Sequence, residues 1–92
     1  MGIGFETDIQ EKKKTEIGLP AKVIVYNDDW HTFEEVIYQI MKATKCDLAT
    51  AEALTWEIHT KGKAVVFEGD LEEALYVQNV LEEIDLSVEV LI

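Results

Sequence analysis

Lys22-Val23-Ile24-Val25-Tyr26-Asn27-Asp28-Asp29-Trp30-His31-Thr32-Phe33-Glu34-Glu35 changes its local physics twice. Lys22 to Tyr26 is β-branched and too continuously apolar for a strand with one wet face, which predicts a central strand. Asn27-Asp28-Asp29 ends it, because Asn and Asp side chains close local hydrogen bonds in turns. Thr32-Phe33-Glu34-Glu35 has the capping-box pattern, in which a threonine oxygen accepts from a free amide and a glutamate answers back. Behind it Phe33, Val36, Ile37, Ile40 and Met41 recur at helical spacing and predict one apolar stripe to about Thr44.

Downstream, Asp47 suits an N-cap for a second helix, with Leu48, Ala51, Leu54, Thr55 and Ile58 inward and Gly62 ending it where a left-handed residue is wanted. Lys63 to Glu68 is another β run. Asp70-Leu71-Glu72-Glu73 is another capping box and opens a third helix whose inward set is Leu71, Ala74, Leu75, Val77, Val80 and Leu81. Asp85 to Ile92 alternates as a closing strand. The predicted order is β-α-α-β-α-β, an α+β fold in which three helices pack a three-stranded antiparallel sheet. Upstream, residues 1–20 differ: Gly2, Gly4, Gly18, the run Glu11-Lys12-Lys13-Lys14 and Pro20 interrupt apolar residues of no sustained period. This reads as a flexible arm before a domain at 21–92.

Ninety-two residues at 48% apolar content allow one small core, without an apolar run near membrane-spanning length. The chain carries 19 Asp and Glu against 8 cations, all of them lysine, for a formal charge of −11. Such a surface repels phosphate backbones and lacks the guanidinium forks that read them, so nucleic acid is excluded as a natural partner. A basic peptide, a cationic amino group or a metal ion suits the field better. Cys46 alone cannot form an internal disulfide or a thiolate zinc cluster. Met1 to Thr15 shows no secretory pattern, and cytoplasm is the expectation.

The turn Tyr26 to Thr32 crowds an amide, two carboxylates, an indole and an imidazole together. Turn chemistry alone accounts for such a composition, so a functional account needs a second half elsewhere. Trp56-Glu57-Ile58-His59 is the candidate: His59 lies at the edge of the second helix's apolar face, where an amphipathic boundary residue is the ordinary reading. Asp28, Asp29, His31 and His59 are chemically able to hold a divalent ion, but no HxxxH or HExxH spacing supports a site. Cys46 and Ser87 have no base in register, and Glu34-Glu35, Glu72-Glu73 and Glu82-Glu83 are adjacent on helices and diverge into solvent. No active site, metal or cofactor is expected.

Val23-Ile24-Val25-Tyr26-Asn27-Asp28-Asp29, followed after a helix by Ile58-His59-Thr60-Lys61-Gly62-Lys63-Ala64, resembles the ClpS adaptor family. That family pairs an apolar strand ending in Asn-Asp-Asp with a later Val/Ile-His, two variable residues, Gly, a basic residue and Ala. The 32-residue interval from Asn27 to His59 matches without a gap, and the likeness covers 21 to about 90. The same domain type occurs inside larger ubiquitin ligases that read N-termini. The resemblance implies an adaptor for N-degrons, delivering proteins with N-terminal Leu, Phe, Tyr or Trp to a Clp-type AAA+ unfoldase. It implies that Asn27, Asp28 and His59 surround the α-amino group, and that Val25, Phe33, Val36, Thr55 and Ile58 wall the side-chain pocket. Asp29 and His31 would lie near the peptide backbone, and Glu72 on the unfoldase-docking surface. The implied protein is a monomer without catalysis, cofactor or membrane contact.

The chemistry agrees with that implication. An α-ammonium has three donors and an ordinary pKa near 8, so it is mostly charged at neutral pH and wants acceptors. Asn27, Asp28 and a neutral His59 offer them. Departures are also visible: Trp30-His31-Thr32-Phe33 stands where Tyr-Thr-Pro-Met is usual, Thr55 replaces a second pocket methionine, and Val77 replaces a docking lysine. The alternatives are a ClpS-like interaction or regulatory domain with an altered or inactive pocket, and a small metal-dependent enzyme.

Overall fold

The computed structural model describes residues 19–92. Pro20 opens β1 (Pro20–Tyr26), a position where its missing N–H costs little. Leu19 also belongs to the fold, because its carbonyl accepts from the Leu71 amide at 2.8 Å. The expected arm otherwise lies outside the described residues. The remaining elements are α1 (Phe33–Thr44), α2 (Leu48–Lys61), β2 (Lys63–Asp70), α3 (Leu71–Glu82) and β3 (Val88–Leu91), in the β-α-α-β-α-β order read from the sequence.

The sheet runs β2-β1-β3, with β1 central and antiparallel to both neighbours. Ala21, Val23 and Val25 point to the helical side and join the core, while Ile24, also buried, lies on the opposite face. The β1–β2 register shifts between Val23 and Ile24. Helix α3 packs across all three strands, α2 against β2, and α1 against α2 and α3.

The predicted punctuation forms, except that the box at Asp70 is half made: the Glu73 amide donates to Asp70 Oδ1 at 2.9 Å without a return bond from the Glu73 side chain. Thr32 caps α1 with both bonds of the box, Glu35 N–H to Thr32 Oγ1 at 3.1 Å and Thr32 N–H to Glu35 Oε1 at 2.8 Å. Asp47 caps α2 through the Thr50 amide at 2.9 Å, and Gly62 ends it at φ 90°, where a side chain would be strained.

Three details differ from expectation. Leu48 and Leu75, assigned inward by spacing, are 52% and 45% exposed. Leu48 is the first residue of its helix and Leu75 lies off the α3 stripe of Ala74, Val77, Val80 and Leu81. The final strand is only Val88–Leu91: Asp85 turns the chain at φ 61°, and Leu86 is buried outside the ladder. Among the described residues no helix is long and apolar enough to cross a membrane.

Candidate functional site

The two sequence halves meet through the backbone. Tyr26 pairs with Lys63, and the Asn27 amide donates to the Gly62 carbonyl at 2.9 Å. That contact sets the end of β1 against the C-terminus of α2, one turn beyond His59. On the other side, the Tyr26 amide donates to the Ser87 carbonyl at 3.0 Å, bringing in the segment between α3 and β3.

A cleft of about 290 Å³ opens at this junction, at the small end of ligand sites. It is lined by Val25, Asn27, Asp28, Asp29, His31, Phe33, Val36, Thr55, Ile58 and His59. These are all the proposed amine, backbone and side-chain pocket residues. Tyr26, Thr32 and Leu86 also line it, although the sequence pattern assigns none of them a place in the pocket. Thr32 reads as a helix cap, and Leu86 as part of an alternating strand. Glu72 lies elsewhere, exposed in the first turn of α3 beside a separate groove bounded by Lys45, Phe67, Tyr76 and Val77. Val77 itself is core, so the residue in the docking lysine's place does not reach the surface, and neighbouring Tyr76 does.

The floor of the cleft is apolar. Val25, Val36, Thr55, Ile58 and Leu86 are all buried. Thr55 Oγ1 donates to the Ala51 carbonyl at 2.7 Å, so its hydroxyl hydrogen is used within the helix. Phe33 is half-buried at the rim, where its ring meets Trp56 edge-on at 4.9 Å and His59 at 6.4 Å.

The polar rim divides into two kinds of group. Asn27 and His59 are exposed, and neither side chain is hydrogen-bonded to another described residue. Asp28 is already committed: Oδ1 accepts from the Trp30 amide at 3.2 Å and the His31 amide at 2.9 Å, and Oδ2 from His31 Nδ1 at 2.7 Å. Burial pushes the Asp28 carboxyl up, but these bonds and the His31 charge bring it net below its ordinary value. Its capacity for an incoming amine is therefore smaller than the residue type suggests.

His31 points inward, with its side chain 3% exposed and Nε2 hydrogen-bonded to the Ile84 carbonyl. Both ring nitrogens are engaged, which leaves no lone pair for a peptide or a metal. Among the described residues no group of three His, Cys, Asp or Glu side chains is arranged to hold a metal ion.

Fold and site together define a class: a small α+β domain whose central strand ends in a cleft with an apolar floor and a rim of hydrogen-bond acceptors. The chain belongs to the ClpS family; the family model described as "ATP-dependent Clp protease adaptor protein ClpS" matches residues 19–87. That family is one of adaptors rather than catalysts. The fold also matches the solved structure of Agrobacterium tumefaciens ClpS2 bound to L-phenylalaninamide, with a TM-score of 0.73 over 78% of this chain and 94% of that one, at 19% sequence identity. The human and mouse E3 ubiquitin-protein ligases UBR1 are each 35% identical to it over 46 residues, half of this chain. The matched stretch spans only 3% of the length of those two relatives.

Proposed function

We propose that this chain captures proteins by a free N-terminus bearing a large apolar first residue and passes them to a Clp-type AAA+ unfoldase. The observation that carries this reading is the convergence of two exposed acceptors, Asn27 and His59, above a buried apolar floor in one cleft. The Asn27 amide oxygen and an unprotonated His59 nitrogen accept two of the ammonium's three protons, and the remaining lone pair on Asp28 Oδ2 takes the third. The first side chain enters between Val25, Val36, Thr55 and Ile58 and loses its contact with water, worth about 1.5 to 3 kcal/mol. The amine ligand of the matched ClpS2 structure, a free amine with a benzyl side chain, supports this arrangement. Delivery rests on the family assignment, with Glu72 proposed on the docking face.

Titration with peptides beginning in Phe, Leu, Tyr or Trp, free and N-acetylated, tests the reading. Acetylation removes the charge and two of the three donors, leaving acceptors stranded at about 1 to 3 kcal/mol each, so blocked peptides should bind at least about tenfold more weakly. Peptides beginning in Asp or Gly should not compete. Equal affinity for free and acetylated peptides would overturn the proposal.

A further inference from the structure

We propose that His31 is held as a buried imidazolium that positions the amine-binding turn, so that the cleft's grip on a peptide amine depends on a proton the protein itself carries. The inference rests on the amine-capture reading above and concerns a side chain that cannot touch the amine, since both its nitrogens are already occupied.

His31 Nδ1 faces the Asp28 carboxylate at 2.7 Å, and Nε2 faces the Ile84 carbonyl. Both partners only accept. A neutral imidazole has one donor and one acceptor nitrogen, so either tautomer would set a ring lone pair against an oxygen lone pair inside a site almost closed to water. The cation satisfies both contacts. Its surroundings suit the charge: Asp28 from the turn and Glu35 from the first turn of α1 are the acidic groups acting on it, and the segment after α3 contributes the Ile84 carbonyl. The Trp30 ring lies over it, with centroids 3.9 Å apart, within range of a cation–π contact. Burial pulls the imidazole down, but the bonds to Asp28 and Ile84 and the charges of Asp28 and Glu35 carry it net above its ordinary value.

The consequence is mechanical. Through one ring, the turn after β1 is tied to the α3–β3 segment 53 residues away. The same turn carries Asn27 and Asp28, two of the three acceptors for the amine. Removing the proton breaks one of the ring's two bonds, and the turn loses either Ile84 or the Asp28 brace. Peptide affinity therefore falls as pH rises through the His31 range. The peptide amine, with an ordinary pKa of about 7.7 to 8.0, titrates in the same direction, so a comparison is needed to separate the two.

Two measurements on the full chain make it. In the free protein, nitrogen-15 spectra of the histidine rings at pH 7 should show both His31 nitrogens carrying hydrogen; one bare nitrogen would overturn the imidazolium. Affinity for a peptide with a free N-terminal Phe should then be followed from pH 6 to 8.5 for the wild type and for His31→Gln, whose amide donates to Asp28 without titrating. The wild type's advantage over the variant should shrink by about tenfold across that range, the equivalent of one pKa unit of coupling. A constant ratio would mean a merely structural ring and would overturn the positioning role. Absence of peptide binding at every pH would defeat the amine-capture reading and the positioning role with it, leaving the ring's charge to the spectrum.

Discussion

The two walls of the cleft are built differently. The turn Asn27 to Thr32 is braced from within: one carboxylate takes three hydrogen bonds, one buried imidazole spans two segments, and a complete capping box starts the helix behind it. The α2 wall is smooth by comparison. Thr55 is satisfied within its helix, while Trp56, 57% exposed, and His59 meet Phe33 only through edge-on ring contacts. A preorganised wall avoids the ordering cost of binding, and a loosely held one can adjust to different side chains. Fixed geometry is concentrated where an amine must be met by directed acceptors. Freedom is left where an apolar group needs only contact.

Substituting the brace should have the largest effect. In Asp28→Ala, the Trp30 and His31 amides and His31 Nδ1 lose their acceptor together, and the buried imidazolium loses the one carboxylate in contact with it. Stability should drop by at least about 2 kcal/mol in urea melts, and affinity for an N-terminal Phe peptide by about a hundredfold. An Asp28→Ala protein as stable as the wild type would show that the turn does not depend on its brace, and the contrast between the walls would collapse.

His59→Ala is the matching cut on the other wall. An exposed side chain without a hydrogen bond to another described residue contributes little to folding, so the melt should move by no more than about 0.5 kcal/mol. Affinity should nevertheless fall about tenfold, the value of one lost charge-assisted acceptor. Comparable stability losses in the two variants would remove the distinction.

Acid and base should also act on the braced wall. His31 is raised in the folded state, so its contribution to stability is complete below the unfolded imidazole value and is lost as pH rises through the folded one. Asp28 is lowered, so its contribution is present above the unfolded carboxyl value and is lost as pH falls through the folded one. The pair supports the turn between those limits. Thermal melts from pH 3 to 9 should show this contribution declining at both ends, and in Asp28→Ala both declines should be diminished.

Much of this design could be read along the chain. The Thr32 box, the Asp47 cap and the Gly62 stop are local devices, each decided by residues within one turn of one another, and all three form. The pairing of the site's halves follows from the resemblance to the ClpS family rather than from local pattern: by themselves Asn27 reads as the end of a strand and His59 as a helix-edge residue before the Gly62 stop, and it is the fold that brings the Asn27 amide to the Gly62 carbonyl. The Ile84 carbonyl could not be foreseen in the same way. It is a backbone group without residue identity, and it meets His31 across 53 residues, just before Asp85 turns the chain at a positive φ. Asp28 has its amine role from the resemblance, and residue type does not tell that the turn itself already takes three hydrogen bonds from its carboxylate. Gln39, buried and bonded to the Val80 carbonyl at 2.6 Å, likewise sits on a helix face that composition alone would give to solvent.

The smallest expected effect comes from Thr55→Val. At this position the hydroxyl already donates to Ala51, a back-bond that contributes little to a helix and slightly strains it. The methyl remains for the cleft, and valine keeps the β-branched shape. Affinity for Phe and Leu peptides should change by less than about threefold, and stability by less than about 1 kcal/mol in either direction. Thr55→Met makes the useful contrast, since a longer, flexible side chain in a cleft of about 290 Å³ takes space from the ligand. It should weaken Phe and Trp peptides more than Leu peptides. If Thr55→Val instead cost tenfold in affinity, the hydroxyl would be facing the peptide, and the α2 wall would hold a directed polar contact like those of the turn.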